Sequence, residues 1–204
     1  MPDDAKQPLS LAYRKDAAAI ERGAVPTKYT RLLPYIEGRH ILEIGAAEGV
    51  LSLLLAREEQ CETVTGLELR DYRYQTGLQL QARWSALGFP VARCTLLRGD
   101  IRENLHLFRG HDTLVAVRAI YYLRDDAPRV MAAARDAGVA RVVLCGNAGR
   151  QRHYRKDPAS EQGRFDRLAA EEGMLSLLVG AGYAATVIRE PGDPIVIGHH
   201  PRTA

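Results

Sequence analysis

The chain has 204 residues, 46% of them hydrophobic, so it can bury a full core and we expect a single domain over residues 1–204. Its 28 basic and 25 acidic residues leave a net charge of +3, an excess too small to demand or exclude an anionic partner. The polar start MPDDAKQPLS and the lack of a long apolar run argue against a signal peptide and a membrane span. We therefore expect a soluble, cytoplasmic protein that does not associate with membranes.

The cysteine and histidine pattern gives no metal site. Cys61, Cys94 and Cys145 are isolated and odd in number, which fits neither a disulfide framework nor a zinc site. His199 and His200 are adjacent, so in a strand they would face opposite sides and chelate poorly. The sequence predicts reduced cysteines and no bound metal.

Two helices are predicted before the first strand. Residues 9–22 are amphipathic, and a second helix is expected from Thr27 to about Leu33, where Pro34 ends it. Together they form an N-terminal helical cap over residues 1–36. The plain interpretation is two helices packed on one edge of a sheet.

Residues 39–55, RHILEIGAAEGVLSLLL, contain the feature on which the functional interpretation depends. They predict a short strand ending at Ile44, a turn with Gly45 and Gly49, and an apolar helix. Glycine permits a positive φ and close approach of a ligand, and the helix start offers unpaired N–H groups. The turn is therefore a candidate seat for a nucleoside-sized ligand. A dinucleotide fingerprint would need a glycine at position 50, which is Val50.

The next two strands end in acidic residues. ETVTGLELRD predicts a second strand ending on Glu68, 23 positions after Gly45, where a carboxylate can accept hydrogen bonds from both ribose hydroxyls. A helix is expected over residues 71–88. VARCTLLRGD then predicts a third strand ending at Gly99 and Asp100, which alone would be an ordinary turn.

The ExGxAxG pattern is formed by Glu43, Gly45, Ala47 and Gly49. It resembles the first motif of class I S-adenosylmethionine-dependent methyltransferases. The resemblance implies S-adenosyl-L-methionine as cofactor, held by these four residues and by Glu68. It also implies that Asp100 accepts a hydrogen bond from the adenine amine, that Ile101 covers the ring, and that the N-terminal helices lie across the pocket.

The fourth strand is predicted from Leu114 to Val117, with Arg118 at its carboxyl end. Ligands of open α/β sheets bind at this end, so Arg118 and the following AIYYLRD are expected to lie beside the cofactor and its methyl group. AIYYLRD is similar to the stretch that follows the fourth strand in these methyltransferases. This chain has Tyr121 and Tyr122 where many relatives have histidine.

Residues 149–167, GRQRHYRKDPASEQGRFDR, interrupt the alternation of helix and strand. They follow a helix that ends near Asp136 and a fifth strand, ARVVLCGN. A loop of this length is usually functional or disordered, and this one is rich in arginine. We interpret it as a substrate lid with a basic inner face; a solvated loop is the alternative.

The end of the chain predicts a reversal of strand direction. YAATVIRE and PIVIGHHP are joined by the short turn PGD, which forces an antiparallel pair. The expected fold class is α/β, a doubly wound, seven-stranded, mostly parallel sheet with a C-terminal antiparallel hairpin and N-terminal helices. The resembled methyltransferases share this arrangement.

Methyl transfer needs an aligned acceptor and a dry site, and a general base only if the acceptor carries a proton at neutral pH. The candidates for that base are Tyr122, His153 and Tyr121. An Arg-rich segment fits a small acceptor that is anionic or bears a hydroxyl group.

Two other functions remain open. RNA is the alternative acceptor, because Arg70, Arg73 and Arg83 could extend a basic track. A protein that binds S-adenosylmethionine without catalysis would suit the tyrosine pair. An NAD-dependent oxidoreductase conflicts with Val50 and with the closing hairpin. The sequence does not predict an oligomeric state.

Overall fold

A computed structural model describes residues 11–200, with side chains from residue 13 onward. The seven strands are β1 His40–Ile44, β2 Thr63–Glu68, β3 Cys94–Arg98, β4 Thr113–Val117, β5 Arg141–Cys145, β6 Ala184–Ile188 and β7 Ile195–His199. They form one sheet in the order β3-β2-β1-β4-β5-β7-β6. Strand β7 pairs antiparallel with both β5 and β6, and the pairings among β1 to β5 are parallel. The predicted fold class is confirmed.

Eight α-helices connect or flank the strands in the described residues. They are α1 Leu11–Glu21, α2 Thr27–Thr30, α3 Val50–Leu55, α4 Asp71–Ala86, α5 Ala127–Asp136, α6 Ala148–Lys156, α7 Glu161–Asp166 and α8 Glu171–Gly180. Short 3-10 helices span Leu33–Tyr35, Leu105–Phe108, Ile120–Asp126 and Arg167–Ala169. None of the helices in the described part of the chain is long and apolar enough to span a bilayer.

The N-terminal cap differs in detail from its prediction. Helix α1 matches the predicted amphipathic helix, although residues 1–10 lie outside the described part of the chain. The second helix is not continuous to Leu33. It ends after Thr30, and a separate 3-10 turn contains Pro34 in its first turn. Proline cannot donate a backbone hydrogen bond, so the α-helix is not continued across it.

The prediction of an irregular loop over residues 149–167 is wrong. Helices α6 and α7 occupy most of this segment, and each begins with a side-chain cap: Asn147 accepts from the Arg150 N–H and Ser160 from the Gly163 N–H. Side-chain caps of this kind satisfy N–H groups that a helix start leaves unpaired. Because α6 has no buried residue, it lacks the apolar periodicity by which a helix is predicted from sequence.

Both faces of the sheet are buried, and β1 shows how. Ile41 packs in one hydrophobic cluster with α3 and Trp84 of α4, whereas Leu42 and Ile44 pack in a second cluster with α5 and α8. Successive side chains of a strand point to opposite faces, so a strand buried on both faces has to be apolar throughout. Cys61, Cys94 and Cys145 are buried and are not joined in disulfides.

Phe108 gives a test of this core. Its side chain is 0% exposed in the cluster against α5. Phe108→Ala is expected to lower the free energy of unfolding by about 3–5 kcal/mol, because transfer and cavity costs add. Leu87→Ala, at a position 57% exposed, is the control and should change it by less than about 0.5 kcal/mol. Urea titration measures both; equal effects would contradict the described core.

Candidate active site

The turn between β1 and α3 is held tightly against its neighbours. Gly45, Ala47 and Gly49 have φ of 71°, 51° and 72°. The Gly45 N–H donates to the Leu67 carbonyl over 2.8 Å, which ties the turn to the end of β2. On its other side a Cβ at Gly45 would lie 2.4 Å from the Cβ of Ala119, just beyond β4. Only glycine fits this place, as the sequence motif predicts.

Glu68 at the end of β2 faces the same turn. Its Oε2 accepts the Ala47 N–H over 2.8 Å, and its Oε1 accepts the Arg70 N–H over 2.8 Å. The residue is only 7% exposed, so the carboxylate is fixed in orientation. A carboxylate has about four acceptor sites. Two therefore remain for a ligand in the crevice above the turn.

That crevice has a volume of about 540 Å³, within the range of small-molecule sites. It lies at the carboxyl ends of the parallel strands. Of the eleven predicted site residues, eight line it: Gly45, Ala47, Glu68, Asp100, Ile101, Arg118, Tyr121 and Tyr122. A larger, open cavity of about 1120 Å³ lies between α5, α7 and α8, but it contains none of the eleven. We therefore take the crevice as the candidate site.

Glu43, near the end of β1, and Gly49, the last residue of the turn, do not line the crevice. Glu43 is 3% exposed and accepts a hydrogen bond from the Ser52 hydroxyl in α3. It also borders a smaller cavity of about 70 Å³ that adjoins the crevice at Gly45. Gly49 packs against Leu96, whose Cδ2 would be 3.0 Å from a Cβ at this position. Glu43 thus ties β1 to α3, and the missing side chain of Gly49 lets the turn pack against Leu96 of β3.

Burial makes Glu43 a source of pH dependence. Burial first, and then the charge of Glu68, raises the pKa of Glu43 from 4.5 to about 7, against the opposing Ser52 hydrogen bond. The folded state therefore binds the extra proton between pH 4.5 and 7, and stability is lost as the pH rises through this window. The loss attributable to Glu43 is at most about 3 kcal/mol.

Glu43→Gln is expected to remove this contribution while keeping an acceptor for Ser52. Chemical denaturation at pH 5 and pH 8 measures it: the wild type should lose more stability between the two values than the variant. Glu59→Gln, at a position exposed on the surface, is the control and should behave as the wild type. An unchanged pH slope in Glu43→Gln would contradict a raised pKa.

Asp100 lines the crevice with its carboxylate already engaged. The Arg102 N–H donates to it over 2.9 Å, and the guanidinium of Arg102 donates through Nε and Nη2. These hydrogen bonds lower the pKa of Asp100. Arg102 thus orients the carboxylate and keeps it charged.

The tyrosine pair also lines the crevice. The ring centroids of Tyr121 and Tyr122 are 4.6 Å apart, with Tyr122 58% exposed and Tyr121 buried. Burial and the neighbouring Tyr122 raise the pKa of Tyr121 to about 12, so its phenol stays protonated at neutral pH. His153 is not brought to the crevice. Its Nδ1 lies 3.2 Å from Asp166, the carboxylate that also binds Arg150, and the side chain does not line the crevice.

Arg118 is held by a residue that the sequence reading missed. Its φ is 52°, and its Nε and Nη2 donate to Asp193 Oδ2 over 2.7 and 2.6 Å. Asp193, in the turn between β6 and β7, also accepts the N–H of Ala148 at the start of α6. One carboxylate thus joins the end of β4 to α6. The sequence could not predict this role of Asp193, because an acidic residue in a hairpin turn is common.

The basic segment contributes less to the crevice than predicted. Only Arg150 of its arginines and lysine lines the crevice. Arg155 instead pairs with Glu171 and Glu172 at the start of α8, on the outside. Tyr13 and Asn147 also line the crevice, and neither was predicted. Because α6 is a helix, its basic residues are spread around an axis and cannot share one inner face.

No group of three metal-ligating side chains that could hold an ion occurs within residues 11–200.

The geometry is that of a Rossmann-like α/β protein with a crevice at the carboxyl edge of its sheet. No family model matches this sequence, and no curated protein matches it significantly.

Solved structures are similar in fold. Cofactor-bound Rv0187 from MTB superposes with a TM-score of 0.65 at 19% identity, over 93% of this chain and 88% of that one. A putative O-methyltransferase from Klebsiella pneumoniae gives 0.64 at 15% identity, over 96% and 92%. EvdMO1 gives 0.59 at 18% identity over 91% of this chain, which spans only 41% of the EvdMO1 chain. The N-terminal domain of EvdMO1 was crystallised in the presence of SAH and D-fucose.

At sequence identities this low, the structural similarity establishes the fold and leaves the substrate open. The strand order, the reversed β7 and these likenesses agree with one another. The chain has the class I S-adenosylmethionine-dependent methyltransferase fold.

Proposed function

We propose that the chain is a methyltransferase that uses S-adenosyl-L-methionine and acts on a small acceptor that is anionic or bears a hydroxyl group. The observation that carries this proposal is the carboxylate of Glu68, fixed by the Ala47 N–H at the mouth of a glycine turn in a fold of this class. In the proposal residues 1–204 form one domain. The N-terminal cap closes the crevice through Tyr13, and α6 and α7 act as the lid.

The crevice fits the parts of the cofactor. Glu68 would hold the ribose hydroxyls, and Leu69 and Ile101, both on the crevice wall, would cover the adenine. Asp100 would accept from the adenine amine in place of one of its contacts to Arg102.

The adjoining small cavity has the charges that an amino-acid group requires. Lys28, Arg31 and Arg118 border it together with Glu43 and Asp193. Both signs of charge suit the ammonium and carboxylate of a methionine moiety.

The cofactor would supply an electrophilic methyl group, so the protein's task is to align the acceptor and exclude water. Tyr121 and Tyr122 wall the acceptor end, Arg150 of α6 projects into it, and Asn147, the residue that caps α6, lines it as well. Tyr122 is the foremost candidate for taking a proton from a hydroxyl acceptor. Tyr121, protonated at neutral pH, would position the acceptor by donating a hydrogen bond. His153 would need to leave Asp166 to take part.

Calorimetry with S-adenosylhomocysteine and NADH tests the cofactor assignment. We expect S-adenosylhomocysteine to bind and NADH to bind far more weakly or not at all. Tighter binding of NADH would contradict the proposal. Conversion of S-adenosylmethionine to S-adenosylhomocysteine with any acceptor would then exclude a non-catalytic binding protein.

RNA is the less favoured acceptor. Arg70 and Arg73 line the crevice, but Arg83 pairs with Glu21, which breaks the basic track that RNA binding would use. Binding of bulk tRNA at rising salt separates the two acceptors, because phosphate contacts make affinity fall steeply with salt. A flat response is expected.

A further inference from the structure

Arg150 is the cation that α6 brings into the acceptor end of the crevice. Its Nη1 donates to Asp166 Oδ1 over 2.5 Å, and the Asp166 side chain is only 3% exposed. Gln162 donates to the same oxygen over 2.9 Å. A buried carboxylate with several donors holds its partner in one geometry. The guanidinium is therefore fixed in place.

Aromatic rings surround the same guanidinium. Its central carbon lies 4.8 Å from the ring centroid of Tyr121, 5.0 Å from that of Phe165 and 6.0 Å from that of Tyr122. Rings at this distance attract a cation and stack on its plane. In the described part of the chain its side-chain hydrogen bond is the one to Asp166, which leaves Nε and Nη2 for a ligand.

This arrangement differs from an ion pair that only joins helices. Arg155 joins α6 to α8 through Glu171 and Glu172 on the outside of the molecule. Arg150, by contrast, lines the crevice and is 29% exposed there. The ordering cost of its long side chain is met on folding, so it need not be met again on binding.

We propose that Arg150 binds a carboxylate on an aromatic acceptor and that Asp166 is the residue that positions it. This inference rests on the proposed methyltransferase function and names its acceptor class. A carboxylate matches the planar guanidinium edge. Because Asp166 already offsets part of the charge, a monoanion fits better than a phosphate dianion. The ring of Tyr122, 58% exposed beside Arg150, offers a flat surface for the aromatic body.

Binding of benzoate, benzamide and phenyl phosphate to the full chain saturated with S-adenosylhomocysteine tests the inference. Calorimetry or NMR titration should give benzoate the highest affinity of the three. Arg150→Gln should weaken benzoate binding by about tenfold or more and leave benzamide binding unchanged. Arg152→Gln, which removes the same charge from an exposed position on α6, is the control and should change neither.

The variant Asp166→Asn distinguishes two roles of Asp166: positioning the Arg150 guanidinium and offsetting its charge. If Asp166 only offset the charge of Arg150, its loss would strengthen benzoate binding; as a positioning residue, its loss should weaken it. The double variant Arg150→Gln, Asp166→Asn leaves no buried carboxylate without a partner. It should bind benzoate as weakly as Arg150→Gln, even if that single variant folds poorly.

Four results would overturn the inference while the cofactor still binds: equal affinity for benzoate and benzamide, tighter binding of phenyl phosphate, benzoate binding in Asp166→Asn that is undiminished or stronger, or wild-type benzoate affinity in the double variant. Failure of the wild-type chain to bind S-adenosylhomocysteine would instead overturn the methyltransferase proposal, and the acceptor inference with it.

Discussion

Gly45→Ala is expected to lower the affinity for S-adenosylhomocysteine by about 100-fold. The added Cβ would lie 2.4 Å from the Cβ of Ala119, so the turn or the end of β4 has to move. Either movement displaces the backbone on which the cofactor would rest, and overpacking of this kind typically costs about 1–3 kcal/mol, which corresponds to about 5- to 150-fold in affinity. Calorimetry measures the loss directly.

Gly88→Ala is the matched control for that variant. Gly88 has a φ of +82°, close to the +71° of Gly45, but a Cβ there meets nothing within 4 Å. It should carry the same backbone strain, about 1–2 kcal/mol of stability, without changing cofactor affinity. If both variants bound S-adenosylhomocysteine equally well, the close contact with Ala119 would not matter to the site.

Glu68→Ala is expected to weaken S-adenosylhomocysteine binding by about 2 kcal/mol, roughly 30-fold. The substitution removes the acceptor for the ribose hydroxyls. It also leaves the N–H groups of Ala47 and Arg70 without their partner, which loosens the turn. Both effects act in the same direction.

Glu62→Ala tests whether any acidic residue near β2 would have the same effect. Glu62 lies just before the strand, at the opposite end from Glu68, and pairs with Arg39 on the surface. This variant should bind S-adenosylhomocysteine as the wild type does. Undiminished affinity in Glu68→Ala would show that the ligand lies elsewhere.

The fold could be predicted because its signals are local. Apolar runs such as Leu114 to Val117 predict strands buried on both faces, and the short PGD turn forces a reversed last strand. A helix that was missed lacks such a local signal. Helix α6 was missed because it buries no residue, so its sequence has no apolar stripe.

Local sequence signals also decide which residues could be placed at the site. The position of Glu68 at the crevice could be predicted because one strand–helix–strand unit sets its distance from Gly45 in the chain. The roles of Asp193 and Asp166 could not be predicted from the sequence. Asp193 binds Arg118, which is 75 positions away in the chain. Asp166 binds Arg150, which is one of several arginines in the same segment. His153 was a candidate because its segment was interpreted as a lid loop over the site, but in helix α6 its side chain contacts Asp166.

The sequence by itself determined the succession of strands and helices, the reversed last strand and the glycine turn, because hydrophobic periodicity and backbone sterics act between near neighbours. Only the tertiary structure decided which arginine faces the crevice and which carboxylates hold Arg118 and Arg150. Those choices depend on the rotation of each helix about its axis. Packing against the sheet sets that rotation, and no local pattern encodes it.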